Sequence, residues 1–410
     1  MHLKSIATNA IFTLYQYELM KVIVLRSHRH VEPRDPFTGP VGTPTRASES
    51  LTVEVPDVST RELKDLRRDP LVVDFAPPIP VRLIQPLKKA KARPKKPPTA
   101  SWGLDAVGAA GCPFSGDGIV VAVLDTGIDQ SHPAFSGVEI IAKNFTEEAD
   151  TDLNGHGTHC AGTIFGRPVD GCAIGIAPGV RKALIGKVLS EKGGSSDAIF
   201  EGILWAFQNQ AHVVSMSIGI DFPGYQSALV DEGYPRDVAT SLALEGYRSN
   251  IRLFDRLSNL VSPRDMFTSG SVLVAAAGNE SRRDRDERYR IIAGPPAAAE
   301  QFVSVAAVEK TADSDRPFEI ASFSNYGARV AAPGVEIPSA KAGGGLLTLS
   351  GTSMATPHVA GIVALWAEKL IKESKRFRAA EVIAKLEGNA KLTTGLAAED
   401  VGVGLVQAPR

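Results

Sequence analysis

Cysteine is scarce in this chain, with three residues, Cys112, Cys160 and Cys172, among 410. Three thiols cannot all pair. That speaks against a disulfide framework and fits a reducing compartment, the cytoplasm in preference to export. No apolar stretch approaches the length that spans a bilayer. The first nineteen residues hold a short, broken apolar run without a small-residue cleavage site, so they make a poor signal peptide. An excess of either charge is missing too. Lys and Arg number 45 against 46 Asp and Glu, a net charge of −1, which predicts no nucleic-acid or membrane partner. What is present is 43% hydrophobic and 22% charged, ordinary for a chain long enough to build a large α/β core with a small appendage.

Residues 350–361 read Ser-Gly-Thr-Ser-Met-Ala-Thr-Pro-His-Val-Ala-Gly. A Gly-Thr turn delivers Ser353 onto the first turn of an apolar helix running to about Lys369. Unpaired N–H groups and a partial positive charge gather at such a helix start. Pro357 is expected within the opening turn, where a missing N–H costs nothing. Alone, this stretch would equally describe a Ser-capped buried helix. A nucleophilic serine needs a base, and the base a third group to orient it. Upstream, the apolar run Val120–Leu124 reads as a buried parallel strand and ends in Asp125-Thr126-Gly127. A carboxylate there lies where open α/β sheets place their sites. Asn154-Gly155-His156-Gly157-Thr158-His159-Cys160 then runs into a small-residue helix. A further buried strand, Val272–Ala277, closes in Gly278-Asn279-Glu280.

These four blocks, in the order Asp, His, Asn, Ser, resemble the subtilisin-like serine proteases (subtilases), over about residues 101–410. The order differs from that of chymotrypsin-like enzymes and of α/β-hydrolases. The resemblance implies a serine endopeptidase acting on polypeptides. Its fold would be α/β, a doubly wound, mostly parallel sheet flanked by helices. Ser353 would attack the scissile carbonyl, His156 would shuttle the proton, and Asp125 would hold the imidazole. Thr126 would hydrogen-bond that carboxylate. Asn279 and the Ser353 N–H would form the oxyanion hole, with Thr352 contributing. Ser217-Ile218-Gly219 matches one wall of the primary specificity pocket and Ala276-Ala277-Gly278 the other. Gly193-Gly194 aligns, to within one residue, with the edge strand that pairs with substrate.

Other residues attract simpler readings. His156 and His159 have metal-ligand spacing, but no acidic base lies in the segment, so no metal is expected and His159 is structural. His358 reads as a packed helix residue and Cys160 as a small buried filler. The family often binds calcium after the histidine helix. Here that loop, residues 165–172, carries a single carboxylate, Asp170, so no cofactor is expected beyond a weak calcium site made of carbonyls elsewhere.

Residues 1–85 read as a small α/β module, with residues 1–19 disordered. Strands are expected at 21–26, 51–55 and 71–75, a loop over 27–50, and a helix from the Ser59/Glu62 capping-box pattern to about Arg68. This resembles the family's inhibitory propeptide, without the usual second helix. It implies an intramolecular inhibitor, the alternative being a permanent accessory module. Residues 86–100 form a basic, Pro-rich linker whose lysines have no aromatic neighbours for base stacking. Ser101 to Leu104 then resembles the start of mature catalytic domains. Between Asp221 and Ser271, Val238, Leu242, Tyr247, Ile251, Phe254, Leu257 and Val261 recur at roughly helical spacing, implying one or two amphipathic helices. The mixed-charge run Arg282–Arg288 reads as a solvated loop. Two alternatives to a general endopeptidase are a dedicated processing protease for one precursor and a non-catalytic scaffold. A missing triad or oxyanion residue would mark the scaffold, and none is missing.

Overall fold

The continuous apolar runs become parallel strands buried on both faces. In the computed structural model, which describes residues 19–30, 48–84, 99–220, 222–262 and 269–410, the main sheet has eight strands. Glu139–Asn144, Lys182–Lys187, Val120–Asp125, Val213–Met216, Val272–Ala276 and Val303–Lys310 lie side by side in that order, all parallel. Phe318–Ile320 pairs antiparallel, and Val330–Pro333 parallel, with the last of these. Chain order reverses at the Val120–Asp125 strand: its successors pair first on one side, then on the other. The doubly wound expectation therefore holds, and Asp125 ends the strand at the topological switch point.

Strand alternation divides the core in two. Val121 and Val123 face the histidine helix (His156–Phe165) and the serine helix (Thr352–Ser374), while Ala122 and Leu124 face the helices Ser196–Gln208 and Arg236–Val261. The N-terminal sheet, in the order Ser48–Glu54, Ile23–His30, Val72–Ala76, continues that second layer. One of its faces places Ile23, Leu25 and Leu51 in the same cluster as Phe200 and Phe254. The other packs Val22 and Val24 with Leu63 and Leu66 of the Thr60–Leu66 helix. The capping box forms: the Ser59 hydroxyl accepts from Glu62 N, and Ser59 N donates to Glu62 Oε2 at 2.7 Å. Both long strands run further than expected into the region read as loop. Residues 1–18, 31–47 and 85–98, including most of the linker, lie outside the described residues.

The helical connection departs from its expected stripe. Its long helix buries Phe254, Leu257 and Val261 as anticipated, but Val238 and Leu242 are exposed. Ala239 and Ala243 face inward instead, against Leu229 and Tyr225 of the Phe222–Asp231 helix. Close approach of two helices selects small residues at the contact, which a hydrophobicity pattern misses.

Glu368 ties the serine helix to the loop that feeds the Asp125 strand. Its Oε2 accepts from Ser115 N at 2.7 Å, Gly116 N at 2.6 Å and Asp117 N at 3.1 Å, and Lys372 donates to Oε1. Glu368→Ala leaves these donors without their carboxylate and is expected to cost about 2–4 kcal/mol. Glu368→Gln, which keeps one acceptor, should lose less in denaturant unfolding. Equal stability of both variants and wild type would refute this anchoring role.

Candidate active site

Asp125 is fully buried. Its Oδ1 accepts from His156 Nδ1 at 2.7 Å and from Thr126 N at 2.8 Å, so a proton sits on Nδ1, and Nε2 is the acceptor whenever the ring is neutral. Thr126 thus bonds this carboxylate as expected, through its backbone N–H, while its hydroxyl is turned elsewhere. That hydroxyl donates to Asp152 Oδ1 at 2.8 Å and accepts from Gly157 N at 2.9 Å. Asp152 in turn accepts from Gly155 N, Thr158 N and the Thr158 hydroxyl, which caps the histidine helix. The sequence reading missed Asp152. Its one signal was an acidic residue just ahead of a helix start. Gly157 is required by close approach: a Cβ there would lie 2.1 Å from the Gly127 carbonyl.

Burial works against charge on His156, the largest single effect. The attraction and hydrogen bond of Asp125 overcome it, leaving the imidazole pKa well above its ordinary 6.5.

The serine helix runs from Thr352 to Ser374, longer than expected, and Pro357 sits inside it, past the opening turn. Its missing N–H leaves the Ser353 carbonyl without its helical partner. The Ser217 hydroxyl supplies one at 3.0 Å, and the Cys160 thiol lies 3.5 Å away. Cys160 is thus more than filler, since its sulfur is also 3.7 Å from His156 Nδ1 and bridges the two helices at the site. Thr352 does not serve as an oxyanion donor. Its hydroxyl gives its one proton to Asn279 Oδ1 at 2.9 Å while accepting from Gly278 N, and Thr352 N donates to the same Oδ1. Both bonds fix the Asn279 amide, so Thr352 acts by orienting it.

The segment Pro80–Leu83, which the sequence reading left unassigned, lies in the cleft as a strand. It pairs antiparallel on one side with Gly194–Ser195 (Gly194 opposite Val81) and on the other with Ile218–Ile220 (Gly219 opposite Arg82). The expected edge residues Gly193 and Gly194 are therefore shifted by one. Gly193 approaches the Val81 carbonyl so closely that a Cβ would lie 2.8 Å from it. The segment ends at Ile84, whose carbonyl accepts from Ser353 Oγ at 3.2 Å, with Ser217 O 3.4 Å from the same hydroxyl. Ile84 is buried, and a Cβ on Gly219 would lie 3.3 Å from its Cγ1. Ala276 and Ala277 are buried at the end of their strand. Gly278 admits no side chain, its Cβ position falling 2.3 Å from Asn325 Nδ2.

The sequence of residues 116–404 matches the model of the subtilase family. This chain is a subtilase. It is 36% identical over 257 residues to an intracellular serine protease of Paenibacillus polymyxa, covering 61% of this chain and 67% of that one. It is 33% identical to alkaline serine exoprotease A of Vibrio alginolyticus (78% of this chain, 52% of the other) and 32% identical to a thermostable alkaline protease of Halalkalibacterium halodurans (77% and 73%). The chain thus spans between about half and three-quarters of these relatives.

Other polar groups of this subtilase serve its packing. His159 Nε2 bonds the Ile337 and Leu347 carbonyls at 3.1 Å, and burial lowers its pKa to about 3, so the ring is neutral. His358 Nδ1 donates to Met354 O at 2.7 Å, and burial lowers it to about 4. The Asp170 loop is closed by reciprocal Val169 and Cys172 hydrogen bonds, with its one carboxylate exposed, a set that does not fit calcium. The mixed-charge run is not all solvated, because Arg283 pairs with the buried Asp400 at 2.6 Å.

In Ser353→Ala protein the nitrogen shifts of the His156 ring should titrate above pH 6.5. Asp125→Asn should bring the titration below that value, because burial then acts unopposed. A midpoint that does not move would refute the assigned coupling.

Proposed function

We propose that this subtilase is a serine endopeptidase held inactive by its own N-terminal module. One observation carries the reading: the Pro80–Leu83 strand pairs with an edge on each side, and the Ile84 carbonyl meets Ser353 Oγ at 3.2 Å. An extended polypeptide bound this way is recognised through its backbone, with side chains taken up by pockets. Ser353 attacks the carbonyl carbon once its hydroxyl has turned from the Ile84 carbonyl oxygen to His156 Nε2, which takes its proton. Asp125 stabilises the imidazolium, and negative charge on the carbonyl oxygen is received by the Asn279 amide and the Ser353 N–H. His156 then protonates the leaving amine, and water resolves the acyl-enzyme by the same steps. Every group in this scheme belongs to the chain, so no cofactor is invoked. Three unpaired thiols, two of them buried, support a reducing compartment.

The reading places the first self-cleavage after Ile84, ahead of Ser101. Incubated wild-type protein should shorten to a product beginning at Gln85, while Ser353→Ala stays at full length by intact mass. If both stay at full length and an active-site serine label leaves Ser353 unmodified, the proposal fails. Asn279→Ala should lower kcat by about 10²–10³ with KM nearly unchanged, the magnitude that loss of the oxyanion-hole asparagine has in subtilisin itself.

A further inference from the structure

Backbone pairing in the cleft does not stop at the Pro80–Leu83 strand. Ser196 N donates to the Ile79 carbonyl at 3.0 Å, and Ile79 N donates to the Ser196 hydroxyl at 3.1 Å. Two residues further back, Asn250 Nδ2 donates to the Pro77 carbonyl at 2.9 Å. The Ile79 side chain is 1% exposed, among the most deeply buried large side chains of the molecule. Its hole is made by an absence. Gly246 lies in the middle of the Arg236–Val261 helix, and a Cβ there would fall 3.1 Å from Ile79 Cγ2 and 3.3 Å from Tyr225 Cε1. Glycine is the poorest helix former after proline, so the bare position needs a reason. The isoleucine that fills it is that reason.

Counting back from Ile84 as the first residue before the cut bond, Ile79 is the sixth. Ser196, Tyr225, Gly246 and Asn250 all lie downstream of that bond and stay with the catalytic region whatever becomes of the module. We infer that the Gly246 hole is a sixth substrate subsite, selecting polypeptides with a large aliphatic residue six positions before the cleaved bond. This inference rests on the peptidase reading above. The helical connection that follows the Ile218–Ile220 strand is then a specificity element. It extends recognition beyond the residues held between the two cleft edges, and the Ser196 hydroxyl and N–H fix the register of the sixth residue.

The test uses the full chain, incubated so that any self-processing is complete, and internally quenched peptides carrying residues 77–84 before the cut bond. The sixth position is varied as Ile, Ala or Asp. Ile should exceed Ala in kcat/KM by at least about tenfold, the least that a filled apolar pocket commonly gives, and Asp should be worse still. In Gly246→Leu, which fills the hole from the enzyme side, the Ile-to-Ala ratio should fall to near one. Equal kcat/KM for Ile and Ala in wild type would overturn the subsite while leaving the peptidase reading intact. Failure to cut any peptide, even one with only four residues before the bond, would count against the peptidase reading instead. The hole is then tested without catalysis, by amide hydrogen exchange of residues 79–84 in Ser353→Ala protein. Gly246→Leu should speed that exchange, and an unchanged rate would overturn the inference.

Discussion

The site is organised around a carboxylate that has no access to water. An isolated buried carboxylate is expensive, and Asp125 is not isolated: its Oδ1 takes the His156 Nδ1–H and the Thr126 N–H together. That arrangement fixes the imidazole only if the histidine helix begins at the right height. The height is set one layer behind. Asp152 holds the first turn through Gly155 N and Thr158 N, and the Thr126 hydroxyl links Asp152 to Gly157 N. Asp125, which ends a central strand, is thereby tied to a second buried carboxylate through a single threonine. The bare α-carbon of Gly157 then lets strand and helix approach closely enough for the link to close.

The serine side is built by a different device, the removal of a hydrogen bond. Pro357 denies the Ser353 carbonyl its helical donor, and the Ser217 hydroxyl takes that place. Ser217 immediately precedes the Ile218–Ile220 edge that pairs with the cleft segment. A proline within the Ser353 helix therefore fastens the edge that holds the cleft segment to Ser353. Displacing that edge would leave a buried carbonyl unpaired, a cost of about 1–3 kcal/mol that holds the two in register.

How much of this was legible depended on sequence distance. The strand ends bearing Asp125 and Asn279 could be read because parallel strands buried on both faces are continuous apolar runs, and the Ser59 capping box because it is local. The cleft strand could not. Pro-Val-Arg-Leu has little intrinsic strand character, and its partners, Gly194–Ser195 and Ile218–Ile220, lie more than a hundred residues away. Arg283, read as solvated, finds Asp400 at a comparable separation. Thr352 was placed correctly beside the site but given the wrong partner, and the bond of the Thr126 hydroxyl to Asp152 went unread, because a hydroxyl's choice among nearby acceptors is made by angstroms that a motif does not encode. The long helix misled for another reason: Ala239, Ala243 and Gly246 are inward because they are small, and hydrophobic periodicity ranks small residues last.

A peptidase cleft of the kind proposed, binding by adding a strand to two short edges, has to let its products go. Gly194–Ser195 and Ile218–Ile220 are short edges that offer few main-chain bonds, which suits turnover. On the reading proposed above, the module overcomes this without tighter cleft contacts. Ile23, Leu25 and Leu51 join the cluster of Phe200 and Phe254, Arg252 pairs with Asp74 at 2.7 Å, and Gln208 donates to the Leu51 carbonyl. Docking at this second surface converts occupation of the cleft from a bimolecular event to an intramolecular one, at an effective concentration that a diffusing substrate does not reach. Inhibition then depends on the docked sheet more than on residues 80–84. The cleft segment keeps the chemistry of an ordinary substrate, which is what allows the same residues to hold the enzyme closed and to be cut by it.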